Sequence, residues 1–464
     1  MSTSQPPTPH TTTNPASATT TAPRTTTGRL RMIGPGIVLA LASVGASDMI
    51  TTLNSGAEYG LALIWVFTVG IILKFVLSEA VARLQMTGDR SLMQHMTAFG
   101  GPVFPALFLI AEILVALFFG ASVVSVCTVI LQHIFPVVPY WPTALLVLAS
   151  AAFLLFIGKY SLVEKAMMGF GVLMFFGIVT LAVTASQGAD AAHVTQETLM
   201  PVFPGNSIVT VASLIGGVGG ATGILAYSAW IREKQWRTPD WLPTIRLDLT
   251  ISYAVVLVFA VAMTAVGGFI LYGQGFTISD NDAVFTLSGT LGETFGDIVR
   301  LSFLLSFFAV VYTSVLGGFS GICYVGADCL RVLVHYRQGA HLDTRTPGTS
   351  AIPGTSAVPE VPSTQAFAKS WYFRLMLVYM VAATPIIMTT GKPVSLVLIY
   401  AAISSFILPV LSLALLFLLR KSRVGTGLHN KPIAVVLLVL CLALFGFLCV
   451  LQLQETYTGF FSGA

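Results

Sequence analysis

About eleven apolar stretches, each roughly 20 residues long, run one after another from Arg31 to near residue 452, and that length matches the hydrocarbon thickness of a bilayer. They fall near 31–53, 60–82, 103–128, 141–158, 162–185, 207–231, 247–272, 297–330, 371–390, 393–419 and 432–452. So many spans leave the backbone few options. In lipid every N–H and C=O must be satisfied inside its own segment, so each stretch is expected to be an α-helix. Composition agrees: 9% of residues are charged, against about 25% in soluble domains, and mean hydropathy is +0.86. The expected fold class is all-α integral membrane, with the lipid bilayer as main partner. The net charge of +4 is spread over loops and gives no footprint for nucleic acid. Cys127, Cys323, Cys329, Cys441 and Cys449 lie in or beside apolar spans without zinc-site spacing, and read as small packing residues.

Residues 1–28 are Ser, Thr, Pro and Ala without an apolar run, which predicts a disordered tail and no signal peptide. A membrane domain then fills 29–464, with a Pro-, Thr- and Ser-rich flexible loop at 338–366. Basic residues mark alternate loops. Arg24, Arg29 and Arg31 precede the first span, Arg83 and Arg90 follow the second, and Lys159 and Lys165 the fourth. Arg232, Lys234, Arg237 and Arg246 follow the sixth, Arg331 and Arg337 the eighth, and Arg420, Lys421, Arg423 and Lys431 the tenth. This alternation predicts a multi-pass protein of a cell membrane, N-terminus cytoplasmic and C-terminus extracytoplasmic.

Two spans at corresponding places are interrupted. The first carries Gly34-Pro35-Gly36 and then Val44-Gly45-Ala46-Ser47-Asp48; the sixth carries Gly216-Gly217-Val218-Gly219-Gly220-Ala221-Thr222-Gly223. Non-helical backbone at membrane depth is tolerated where it lines a cavity, and paired broken helices mark the binding site of repeat-built transporters. Spans 1–5 (about 31–185) and 6–10 (about 207–419) then form an inverted 5+5 repeat of the LeuT class, with helices 1 and 6 discontinuous and 432–452 an extra helix. The expected function is movement of a small solute across a membrane.

The stretch Gly34-Pro35-Gly36 through Ser55-Gly56-Ala57-Glu58-Tyr59-Gly60-Leu61-Ala62-Leu63-Ile64-Trp65 resembles the first helix and following loop of the Nramp metal-ion transporters. Tyr312-Thr313-Ser314-Val315-Leu316-Gly317-Gly318-Phe319-Ser320-Gly321 is similar to their eighth helix. The resemblance implies a LeuT-like transporter, and it also implies which positions depart from the family. The family's Asp-Pro-Gly-Asn motif falls on Gly45-Ala46-Ser47-Asp48, so Gly45 replaces its Asp and Asp48 its Asn. Its Met-Pro-His falls on Thr222-Gly223-Ile224, and its tenth-helix Gln on Ala401. Loss of a thioether relaxes selection against hard ions. A single carboxylate suits a cation that keeps its waters, as Mg²⁺ does. Exposed half-helix N-termini also favour anionic groups.

The expected substrate-binding residues are Asp48, Gly45, Ser47, Thr51, Gly216, Gly217, Gly219, Gly220, Thr222 and Gly223, with Asp48 as the metal contact; its alternative role is a helix cap. Glu112, embedded in span three, and Glu79, four residues before Arg83, are candidate proton-relay groups, Glu79 alternatively a helical ion pair. Lys74 either snorkels or pairs with a carboxylate. Trp230 to Lys234 reads as an interface belt. The leading expectation is a secondary transporter moving Mn²⁺, Mg²⁺ or Fe²⁺ by alternating access, with proton symport as an option. The alternative is transport of a carboxylate anion or a metal–carboxylate complex such as metal–citrate; the second alternative is a membrane receptor that does not transport. No cofactor is expected beyond the cation as substrate. Without an embedded His-Glu metal motif, nucleophile elbow or phosphate loop, the chain is not expected to be an enzyme.

Overall fold

The computed structural model describes residues 22–88, 90–187, 220–273, 281–337, 367–389 and 406–461, with single positions between them at 194, 196, 198, 200, 204, 210, 211, 214, 215, 396, 399, 400, 403 and 404. Its described elements are helices. A short α1 (Thr26–Leu30) precedes α2 (Pro35–Ser43) and α3 (Ala46–Tyr59), which together make the first span. Spans two to five are α4 (Ile64–Gln85), α6 (Val103–Ile134), α7 (Tyr140–Phe156) and α8 (Tyr160–Ala185), with α5 (Leu92–Gly100) lying between the first two. In the second half, α9 (Ala221–Glu233) is the end of span six, followed by α10 (Leu242–Leu271), α11 (Asn281–Phe295), α12 (Asp297–Arg337), α13 (Trp371–Met388), α14 (Ile407–Leu418), α15 (Lys421–Leu428) and α16 (Pro432–Phe461). Seven of these helices are long and apolar enough to cross a bilayer, and the bent pair α2–α3 makes eight.

Local chemistry explains the places where the expected bounds shift. Gly34-Pro35-Gly36 does not interrupt the first helix; it starts it. Pro35 occupies the first helical position, where its missing N–H costs nothing, and Gly34 precedes it as the cap. Residues 26–28, expected within the tail, belong to α1, whose N-cap Thr25 accepts the Gly28 N–H on its hydroxyl. The real interruption is at Val44 and Gly45, both extended, and the two halves meet at 58°. The residues of the loop at 338–366 and the glycines at 216, 217 and 219 lie outside the described residues, as does Ala401.

The longest helix, α12, packs along α6 and α8, and α10 packs along α3. The second contact is a backbone one. A Cβ on Gly56 of α3 would stand 2.1 Å from the Thr264 carbonyl of α10, and one on Gly267 would stand 2.2 Å from the Leu53 carbonyl. Side chains are excluded there, so the axes approach as closely as helices can. Large apolar side chains face outward on α6 (Ile110), α7 (Leu146, Phe153), α8 (Val172, Phe176), α13 (Val378, Ile386) and α16 (Ile433, Val436), the surface that lipid covers.

Candidate functional site

The break between α2 and α3 puts a carboxylate in the centre of the bundle. Extended backbone at Gly45 leaves the first amides of α3 without helical partners, and Asp48, in the first turn, accepts the Gly45 N–H on Oδ2 at 2.8 Å. On the other side of the break, the Ser314 hydroxyl of α12 donates to the Val44 carbonyl at 2.8 Å. Thr52 donates to the Asp48 carbonyl at 2.6 Å and holds the next turn. Asp48 is therefore the cap that was its alternative reading, but only through one oxygen. It is 3% exposed, and its Oδ1 has no hydrogen-bond partner among the described residues. Lys74 of α4 has no exposed surface, so it does not snorkel; its charge acts on Asp48. Thr51 follows one turn into α3, while the side chain of Ser47 lies outside the described residues.

A second carboxylate stands across the bundle. Glu112 of α6 is fully buried; the Thr222 hydroxyl of α9 donates to its Oε1 at 3.1 Å, and Oε2 has no partner among the described residues. Thr222 and Glu112, predicted separately, are thus brought together over 110 positions of sequence. The neighbouring Gly223 touches the first break: a Cβ there would lie 3.1 Å from the Ser43 hydroxyl, which is itself buried with no partner among the described residues. A Cβ on Gly220 would meet nothing within 4 Å among the described residues.

At the end of the bundle that carries the basic residues, charges are tied. Glu79 accepts Arg83 at 2.6 Å and Arg246 of α10 at 2.7 Å, and Arg83 continues to the Leu428 and His429 carbonyls at 3.1 Å. Glu79 is thus the helical ion pair, held between two arginines. Asp248 of α10, which sequence reasoning did not single out, accepts the Gly34 and Gly36 amides at 3.0 and 2.6 Å and the Tyr227 hydroxyl at 3.3 Å. It anchors the N-terminus of α2, where a helix dipole favours an anion. The signal for it was an acid two residues after Arg246 inside an apolar span. Glu164 of α8 pairs with Lys234 at 2.8 Å. Trp230 and Ile231 are fully buried, Trp230 Nε1 facing Ser320 Oγ at 3.4 Å, so this segment is core and not an interface belt. Ser91, Ser228, Arg232, Tyr324 and Asp328 line a cavity of ≈ 30 Å³, room for about one or two waters.

The family model for Nramp, natural resistance-associated macrophage protein-like, matches residues 36–455. The chain belongs to the Nramp family. Among curated Nramp-like relatives, the divalent metal cation transporter MntH of Yersinia pestis is 23% identical over 301 residues, 62% of this chain and 72% of that protein. An uncharacterized protein of Pasteurella multocida is 20% identical over 308 residues, 65% and 71% of the two chains. Among solved structures, a manganese transporter of Eremococcus coleocola superposes with a TM-score of 0.73 at 15% identity, covering 95% of this chain and 90% of that one. MhsT in complex with L-phenylalanine gives 0.59 at 12% identity, covering 90% and 97%. The chain thus has the LeuT-like fold on Nramp family sequence, in a multi-pass membrane protein whose family is one of transporters and not of enzymes.

Proposed function

We propose that this chain is a secondary transporter that moves divalent metal ions (Mn²⁺, Mg²⁺ or Fe²⁺) across a cell membrane by alternating access around the α2–α3 break. One observation carries the reading: Asp48, a carboxylate at a helix break in the middle of a span, has one oxygen with no hydrogen-bond partner among the described residues. An intramembrane carboxylate is costly, and a spare lone pair at a broken helix is what a cation binds. Membership of a family whose relatives bear the names of divalent metal cation and manganese transporters supports the cation class. The candidate contacts are Asp48, Gly45, Ser47 and Thr51 on the first span, and Gly216, Gly217, Gly219, Gly220, Thr222 and Gly223 on the sixth. Glu112 is the candidate proton group, which makes the coupled form metal–proton symport; Glu79, held between Arg83 and Arg246, is left to its ion pairs. By the positive-inside rule that end is cytoplasmic, with the N-terminus inside and the C-terminus outside.

The test is uptake of each metal into proteoliposomes, with and without a proton gradient, by wild type and Asp48→Ala. Uptake that Asp48→Ala removes is expected. Equal uptake by Asp48→Ala overturns the site, and a rate indifferent to the gradient removes the proton from the mechanism.

A further inference from the structure

In these spans a buried hydroxyl is ordinarily spent on its own helix. Thr128, Ser252, Ser306 and Ser412 each donate to the carbonyl four residues back, at 2.6 to 2.7 Å. Ser43 does not. It is the last residue of α2, 6% exposed, and its Oγ has no hydrogen-bond partner among the described residues. The Ser55, Thr244 and Thr384 hydroxyls share that condition, but of the four only Ser43 borders the break. A buried hydroxyl left unpaired is costly, the more so where its own helix offers an acceptor.

What stands opposite shows where the hydroxyl lies. A Cβ on Gly223 of α9 would be 3.1 Å from Ser43 Oγ and 3.1 Å from Leu39 Cδ1, so Ser43 meets the start of α9 across a gap that only glycine leaves. The next residue, Thr222, holds Glu112. The backbone beside Ser43 is also changed by the break. In an unbroken helix the Gly45 amide would bond the Leu41 carbonyl; here it bonds Asp48 Oδ2. The last carbonyls of α2 are therefore directed at the break, the negative end of the helix dipole, which favours a cation. Ser43 and Asp48 stand on either side of two extended residues, Val44 and Gly45, and each has an oxygen with no partner among the described residues. Resting on the reading that Asp48 holds the substrate cation, we propose that the Ser43 hydroxyl is a second oxygen ligand, meeting the ion directly or through one of its waters. A neutral oxygen beside a single carboxylate suits a divalent ion that keeps part of its hydration.

The experiment measures uptake of radiolabelled Mn²⁺ and Cd²⁺ by full-length protein in proteoliposomes, for wild type, Ser43→Ala, Ser43→Cys and Asp48→Ala. Ser43→Ala is expected to raise the KM for Mn²⁺ roughly tenfold, the lower end of what loss of a metal's supporting residue costs. Its melting temperature should not fall, since the hydroxyl bonds nothing among the described residues. Ser43→Cys exchanges one atom and puts a soft donor where the hydroxyl stood, so its ratio of Cd²⁺ to Mn²⁺ uptake is expected to rise several-fold over wild type. A hydroxyl that only packs predicts no change in that ratio, whatever happens to stability. A wild-type KM in Ser43→Ala, or a wild-type ratio in Ser43→Cys, overturns the proposal. The nearly isosteric Ser43→Cys decides the question where Ser43→Ala does not fold. Asp48→Ala separates the two readings. Normal uptake by Asp48→Ala, or wild-type silence toward both ions, removes the site itself, whereas Asp48-dependent uptake with both Ser43 variants like wild type removes Ser43 alone.

Discussion

At the basic end, both oxygens of Glu79 and both oxygens of Asp248 hold partners; at the break, Asp48 and Glu112 each keep one oxygen without any among the described residues. All four carboxylates are buried. Burial alone therefore does not separate a structural acid from a working one. The difference lies in how completely each is satisfied. A buried polar atom without a partner costs about 1–3 kcal/mol, and a fold carries that cost where something else supplies the missing contact. Glu164 is the exception at the basic end: one oxygen pairs with Lys234 and the other has no partner among the described residues.

Single substitutions can break this contrast. The largest effect is expected for Asp48→Ala, which should lower transport by more than the roughly 100-fold typical of losing a supporting residue, with little change in thermal melting; an equally large loss of melting temperature would make Asp48 structural. Glu79→Ala should do the reverse. It leaves Arg83 buried without its carboxylate and should cost about 3–5 kcal/mol, read as a lower midpoint in a melting assay, with substrate affinity unchanged. Asp248→Asn keeps one acceptor for the α2 amides and should cost about 1–3 kcal/mol. Its signature is faster amide exchange over residues 34–38, and unchanged exchange there would show that α2 is anchored by something else. Thr222→Val removes one hydrogen bond to Glu112, about 1 kcal/mol, and should raise KM several-fold with little change in melting.

The smallest effect concerns pH, and it lies outside the spans. Burial of His95 on α5, with Arg90 and Arg232 near it, lowers its pKa from 6.5 to about 4. A base held neutral in the fold takes up its proton first when unfolded. Its contribution to stability is thus full above about pH 6.5 and declines as pH falls toward 4. Melting curves of His95→Gln should be flatter than wild type across that window, while transport at neutral pH is unaltered.

Much of this fold was legible because a bilayer restricts each span to about 20 apolar residues in a helix, and each of the predicted stretches coincides with a described helix or part of one. The break at Gly45 and Asp48 was legible for the same reason, as polar and glycine residues inside an apolar run. The partners were not. Nothing in local sequence links Asp48 to Lys74, Glu112 to Thr222 or Asp248 to Gly34, because these pairs come from different helices and helical periodicity speaks only of neighbours on one. Proline at position 35 misled for a local reason: it signals a helix start as readily as an interruption. The glycines at 216, 217 and 219 fall outside the described residues, so the sixth-span half of the site rests on Gly220, Thr222 and Gly223.

The glycine contact between α3 and α10 has a mechanical consequence. With backbone against backbone at Gly56 and Gly267, those two helices cannot slide or splay without breaking contact, so they tilt as one beam. The same beam carries Asp248 near its other end, and Asp248 grips the start of α2. The two halves of the broken span are thus joined twice, once through the hinge at Gly45 and once through α10 as a lever. A rocking motion that moves α3 at one end of the bundle is thus expected either to drag α2 at the other or to break its hydrogen bonds to Asp248.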